Sequence, residues 1–195
     1  MKRISQLVLA LLAPLPVIAS PVTYTIDTFH SYPNFTVSHL GMTTIHGRFE
    51  RMTGKIALDT AAKSGSLEVK VPTATVSTGD SRREGGGRSR DEHLRSADFF
   101  NSTEFPEMVY KSTKLNFAGE KLDSVEGTLT LLGVTKPVKL NVTHFNCAPH
   151  PMNKRAMCGA YVEGTLKRTE FGMKFGVPGV SDDVKLAIGI EAFQD

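Results

Sequence analysis

Alternation with a period of two is the feature that most restricts what this chain can become. Leu67, Val69 and Val71 alternate with Glu68, Lys70 and Pro72, and Val125, Gly127, Leu129 and Leu131 alternate with Glu126, Thr128 and Thr130. Val138, Leu140 and Val142 alternate with Lys139, Asn141 and Thr143, and Val184, Leu186, Ile188 and Ile190 with Lys185, Ala187, Gly189 and Glu191. Successive strand side chains point to opposite faces of a sheet, so this period belongs to half-buried strands. Phe35-Thr36-Val37-Ser38 repeats it inside residues 29–40, which follow an opening strand at 24–27. Residues 44–59 read as one long strand, with Gly47 and Gly54 marking bends or bulges. Residues 108–117 read as a strand with Val109, Lys111, Thr113, Leu115 and Phe117 on one face. Residues 161–168 read as another strand, followed by an irregular stretch at 169–179. Pro72 argues against a fully paired central position at that point.

About eight strands result, joined mostly by short turns at Gly41-Met42, 61–65, Gly119-Glu120 and 133–137. Short joins require antiparallel neighbours, because a parallel pair needs a long crossover. The fold class is therefore all-β. Each strand has one apolar face, and these faces must meet. A closed up-and-down barrel and a two-sheet sandwich both achieve this, and a barrel of about eight strands encloses one small ligand. The 195 residues, 40% of them apolar, suffice for one domain with a sizeable core.

Residues 89–100 break the strand pattern. They read as one short helix, with Ser89 as its cap and Asp91 and Glu92 in the first turn, where acidic groups meet the positive end of the dipole. Leu94 gives the helix an apolar contact, and Phe99 and Phe100 close the segment. The helix either closes a barrel mouth with its aromatics or crosses the surface while the two Phe complete the core, and the two readings are compatible. Residues 78–90 are the only low-complexity stretch, containing three consecutive Gly. Arg82, Arg83, Arg88 and Arg90, with Arg95 beyond, read either as a clamp for a phosphate head group or as a solvated loop. In the second reading Asp80, Glu84, Asp91 and Glu92 are the counter-charges. No Gly-Lys-Ser/Thr follows the glycines, so this is not a P-loop.

Residues 1–19 read as a cleaved export signal. Lys2 and Arg3 precede an apolar run at 7–15, interrupted by Pro14, and Val17-Ile18-Ala19 forms a small-residue cleavage site. That run is too short to span a bilayer, so residues 20–195 are expected as one exported domain, periplasmic or secreted. Loss of Lys2 and Arg3 takes the basic count from 23 to 21, against 20 acidic residues. A mature net charge of about +1 gives no general affinity for nucleic acid, and the Arg-rich loop lacks interleaved aromatics. In an oxidising compartment Cys147 and Cys158 are expected to form a disulfide, worth about 2–3 kcal/mol for so short a loop. The alternative is a metal site made of His144, Cys147, His150 and Cys158. Candidate acid–base groups are His30, His39, His46, Asp91, Glu92 and His93. Neither Gly-x-Ser-x-Gly nor His-Glu-x-x-His occurs.

His30-Ser31, Phe35 and His39-Leu40-Gly41 resemble the opening of the YceI-like family of bacterial exported proteins. Gly47-Arg48-Phe49 with Gly54 is similar to its second strand. Arg90-Asp91-Glu92-His93-Leu94-Arg95-Ser96-Ala97-Asp98-Phe99-Phe100 is the most specific match. The stretch from Gly127 to Val138, GTLTLLGVTKPV, and Arg168-Thr169-Glu170-Phe171-Gly172-Met173 resemble the later motifs, so the likeness runs in order over residues 22–191. Residues 84–89 look inserted relative to the family, and the cysteine-bearing loop is similar to only a subgroup.

The resemblance implies a lipocalin-like, eight-stranded antiparallel barrel that binds a polyisoprenoid or other long-chain lipid, with the helix near its mouth. The apolar inner face then supplies the candidate ligand-binding residues: Phe35, Val37, Phe49, Phe99, Phe100, Leu129, Leu131, Leu140, Val142 and Ile188. Arg88, Arg90 and Arg95 are the candidate head-group contacts. Beyond a bound isoprenoid lipid no cofactor or metal is expected. Transient contact with a membrane or membrane protein, and a homodimer, are the further partners considered. The alternatives to a carrier are an enzyme acting on such a lipid or its head group, and a stress or redox accessory protein that binds a quinone-type isoprenoid.

Overall fold

The computed structural model describes residues 21–80, 82 and 87–195. The expected export signal and its cleavage site, together with Arg83 and Glu84, lie outside the described residues.

The strands are β1 (Val22–Ile26), β2 (Tyr32–His39), β3 (Thr43–Phe49), β4 (Thr53–Asp59), β5 (Ser64–Pro72) and β6 (Val76–Ser77). After the helix α1 (Arg90–Arg95) come β7 (Glu107–Ala118), β8 (Lys121–Leu131), β9 (Val134–Pro149), β10 (Ala156–Lys167) and β11 (Asp183–Gln194). Hydrogen bonding runs in the order β1-β4-β5-β7-β8-β9-β10-β11-β2-β3-β6, and β1 pairs back onto β11 to close the ring. Because β1 with β2, β3 with β4, and β5 with β6 each form one interrupted stave, the result is a closed antiparallel barrel of eight staves. The sandwich is thereby excluded, and the all-β barrel with one short helix is the observed fold.

The expected single strand at 44–59 is two strands. Its first half pairs with β2 and β6, its second half with β1 and β5, and the chain bends at residues 50–52 to change partners. Met52, only 1% exposed, turns inward at that bend. The gap between β1 and β2 is sealed by a side chain. The fully buried Ser31 hydroxyl donates to the Glu191 carbonyl at 3.1 Å and accepts the Glu191 N–H at 2.9 Å, replacing ladder bonds that the break removes.

Strand β7 also departs from expectation. Its register shifts between Ser112 and Lys114, a β-bulge that reverses which face points inward. Above the bulge Met108 and Tyr110 face the interior while Lys111 and Thr113 are exposed; below it Leu115 and Phe117 return to the core. The cysteine segment is likewise not a loop throughout. β9 and β10 run on to Pro149 and from Ala156, so Cys147 and Cys158 sit opposite each other on neighbouring strands and are joined by a disulfide with Cα atoms 4.0 Å apart. That bond removes the metal set of His144, Cys147, His150 and Cys158. The His150 ring nitrogen accepts N–H groups from Met152 and Asn153, both at 3.2 Å.

Strand directions place two kinds of structure at the two ends. The β4–β5, β7–β8 and β9–β10 turns lie at the lower end. The β2–β3 and β8–β9 turns, α1 and its flanking segments, and residues 168–182 lie at the upper end. The lower interior is a cluster of Leu58, Leu115, Leu122, Val125 and Cys158.

Candidate functional site

Above that cluster the barrel holds a cavity of about 190 Å³. Its walls come from the inward positions of the alternating strands: Leu67, Val69 and Val71 of β5, Leu129 and Leu131 of β8, and Leu186, Ile188 and Ile190 of β11 among them. Of the ligand-binding residues expected from the sequence, all line this cavity except Val142. Val142 points inward but lies where the upper and lower clusters meet and packs against both. It belongs to the floor, and Leu140 is the last β9 residue on the cavity.

Two glycines make the walls. A Cβ on Gly47 would collide with the Phe35 ring, and one on Gly127 with the Tyr110 ring, so each glycine lets an aromatic lie flat across a neighbouring strand. Phe35 then reaches Phe49 at 5.8 Å between ring centroids, and Phe49 meets Phe100 edge to face at 5.2 Å.

The roof has two parts. The first is α1 and the turn after it. Ser89 Oγ accepts the Glu92 N–H at 3.2 Å while the Glu92 carboxylate accepts the Ser89 N–H at 2.8 Å, a reciprocal capping box. The helix ends at Arg95, so Phe99 and Phe100 project from the following turn, both 9% exposed and both on the cavity with Leu94. Mouth closure and core completion are thus the same contact. Buried Asp91 accepts the backbone N–H and the hydroxyl of Thr78 at 2.8 and 2.7 Å. Arg95 donates to the carbonyls of Ala74 at 2.8 Å and Val76 at 3.0 Å.

The three candidate head-group arginines are therefore all engaged within the protein. Arg95 fastens the roof, Arg88 pairs with Asp98 at 2.7 Å, and Arg90 pairs with Asp80 at 3.1 Å. Of the expected counter-charges, Asp80 serves as one, whereas Asp91 and Glu92 anchor the helix start.

The second part is the segment 168–182, gathered by Arg168. This guanidinium, 3% exposed, donates to the carbonyls of Ser181, Met173, Phe175 and Val180 at 2.9–3.1 Å. Burial lowers its pKa, and the nearby Asp182 carboxylate opposes that shift. Met173 and Val180 of this segment face the cavity, and Phe175 packs on His93 and Phe99 at 4.9 and 5.4 Å between centroids. The sequence reading missed Arg168 as a fastener, since nothing in an arginine at a strand end reveals four carbonyl partners.

The polar groups on the cavity wall are satisfied within the protein. The Tyr110 hydroxyl lies 3.0 Å from the Val138 carbonyl and 3.2 Å from that of Val125, its one proton shared between them. Burial, and then the charge of Glu126, push its pKa up. Asn34 donates to the Tyr32 carbonyl at 3.2 Å. An apolar molecule could occupy this space without orphaning a buried polar group.

The candidate acid–base groups do not converge. His30 stands outside the barrel, 2.6 Å from Asp27; His46 is exposed on β3; His39 tops β2. His93 lies 2.9 Å from Asp98 in the roof. Arg88, and then His93, hold the Asp98 carboxyl below the usual carboxylate range. Asp27, His30 and Glu191 offer ligand atoms within 4.8 Å of one another, among the described residues the one grouping with metal-ligating reach. The Asp27 carboxylate there already accepts from His30 and from the Phe29 N–H at 2.9 Å.

A family model describing a YceI-like domain matches residues 24–192. The chain is 35% identical to "Protein YceI" of Shigella flexneri over 167 residues, 85% of this chain and 82% of that one. Among solved structures, the Campylobacter jejuni YceI protein is 26% identical, with a TM-score of 0.66 over 81% of this chain and 90% of that chain. A Saccharophagus degradans domain described as polyisoprenoid-binding and implicated in plant cell wall breakdown is 17% identical, and shares the fold with a TM-score of 0.62 over 89% of this chain and 99% of that one. The family model spans nearly every stave of the barrel and both parts of its roof, and this chain belongs to the YceI-like domain family.

Proposed function

We propose that this chain is an exported binding protein that carries a polyisoprenoid or similar long-chain amphiphile in its upper cavity, with no catalytic step. The observation that carries this reading is the cavity itself, apolar, roofed, and with its few wall polar groups already hydrogen-bonded to the protein. Each methylene-sized unit moved from water into such a site gains about 0.8 kcal/mol before ordering costs are subtracted. The Saccharophagus neighbour, described as polyisoprenoid-binding, supports the ligand class. Scatter of the histidines over the outer wall, hairpin and roof favours binding over an enzyme acting on the lipid. A quinone-type isoprenoid would use the same cavity. Export rests on the signal pattern of residues 1–19, and N-terminal sequencing of the mature protein is expected to begin at Ser20.

At about 190 Å³ the cavity is smaller than the ~300–1,000 Å³ typical of drug-sized ligand sites, so a long chain must move the roof to enter fully. Native mass spectrometry of protein purified from its natural compartment tests the proposal. Retention of a lipid of defined mass is the expected result. Protein that emerges empty, and that takes up no isoprenoid from a soluble cyclodextrin complex, would overturn it.

A further inference from the structure

The roof leaves large apolar side chains substantially in water. Met42 is 83% exposed, Leu40 64%, Phe175 48% and Val177 39%. All four stand on two loops of the upper end that are welded together. The Leu40 N–H donates to the Gly179 carbonyl at 2.6 Å, Ser181 N–H donates to the Ser38 carbonyl at 2.9 Å, and His39 bridges to Val180. The first loop is a turn in which Met42 N–H donates to the His39 carbonyl, with Leu40 and Gly41 at φ +54° and +67°. Tight turns of this form favour Asn or Asp before Gly, because a branched side chain at positive φ is strained. A leucine held there, in water, is an expense that folding does not explain.

The two tip segments carry no carboxylate. Residues 39–49 and 171–180 contain no Asp or Glu, and Lys174 stands beside Phe175 in the second. Arg48 lies down β3, opposite Asn34, and is paired with Glu50 at 2.9 Å. Phe175 joins the tip to the ligand space, since its ring packs on Phe99, which lines the cavity.

We propose that this tip docks on a lipid bilayer, inserting Met42, Leu40, Phe175 and Val177 between head groups. Exposed apolar tips free of carboxylates, with Lys174 beside them, have the composition of interfacial membrane contacts. Here they surround the roof of a lipid-sized cavity, so that displacement of the 168–182 segment by the bilayer would open a water-free path. The inference rests on the carrier reading above for its purpose, but not for its test.

The chain has no Trp, so one introduced indole reports one location. Met42→Trp marks the tip, and Met152→Trp, at an 84% exposed residue of the lower end, is the control. On vesicles of phosphatidylethanolamine and phosphatidylglycerol, brominated acyl chains should quench Met42→Trp and leave Met152→Trp unchanged. Met42→Asp, alone and combined with Val177→Asp, should weaken vesicle binding by about tenfold or more and abolish lipid uptake from vesicles. Uptake from a soluble cyclodextrin complex should persist, which also shows that the variants fold. Equal quenching at both ends, or none, overturns the docking surface. So does a spectral change of Met42→Trp that depends on protein concentration without vesicles, which would assign the tip to a second copy. Docking without uptake from either source would leave this inference standing and remove the carrier reading.

Discussion

The two ends of the barrel come from the same alternating strands but are closed by different means. At the lower end inward side chains meet one another, and Leu58, Leu115, Leu122 and Val125 fill the space. At the upper end the same inward positions are held apart, and pieces of backbone cross over them. Those pieces are fastened by two arginines: Arg95 on the carbonyls of Ala74 and Val76, and Arg168 on carbonyls of residues 173–181. Dispersion contacts in a filled interior are lost together when it opens, whereas a hydrogen-bonded roof can lift as a unit. The contrast teaches that a family of like strands can hold a rigid floor and a removable cover without changing its alternation.

The largest test of this contrast is truncation. Leu115→Ala in the lower cluster should cost about 4 kcal/mol in chemical denaturation, and Leu129→Ala, whose side chain already faces open space, only about 2 kcal/mol. Equal losses would mean the two ends are packed alike. Replacing both Cys147 and Cys158 by Ser should cost about 2–3 kcal/mol while leaving lipid affinity unchanged, because the bond staples two strands at the lower end. A change in affinity without a change in stability would reverse the assignment.

Enlargement sharpens it further. Val142→Trp, in the floor, should overpack and lower stability by about 1–3 kcal/mol. Leu129→Trp should keep melting close to that of the parent and lose lipid binding, its indole occupying the ligand space. The opposite pattern would put the cavity at the other end.

The smallest effect concerns the outer wall. Burial raises the Asp27 pKa, but hydrogen bonds from His30 and the Phe29 N–H outweigh it and set it below 3.8. The hydrogen bond to Asp27, and then its charge, raise His30 above 6.5. The Asp27 contribution is present above its unfolded value and lost as pH falls through the depressed one; the His30 contribution is full below 6.5 and lost as pH rises through the raised one. The stability difference between parent and His30→Ala should therefore be greatest between about pH 4 and 6.5, by denaturation across pH. A flat profile would remove this pair from the wall.

Much of this was legible in the residues. Alternation in β5, β8, β9 and β11 named the inward faces, and Ser89 with Glu92 marked the helix start. What alternation does not carry is partner identity: residues 44–59 stay apolar and polar in turn across a bend where every neighbour changes. It also cannot locate a floor, so Val142, one repeat below Leu140, looked like a wall residue. On β7 both phases contain apolar residues, and only the bulge decides between Val109 and Tyr110. Arg168 is set by backbone carbonyls that have no residue code.

That bulge has a consequence for what the floor is made of. Above Ser112, β7 presents Met108 and Tyr110 to open space; below it, Leu115 joins the floor. A regular alternation through the same residues would carry Lys114, in place of Leu115, to the floor. Deleting Thr113, the unpaired residue, keeps Leu115 in phase with Tyr110, so lipid retained in native mass spectra should be unchanged. Loss of lipid would show that the bulge's local twist shapes the site. One miscounted residue is thus what keeps a strand written with apolar residues in both phases free of charge along its inner side.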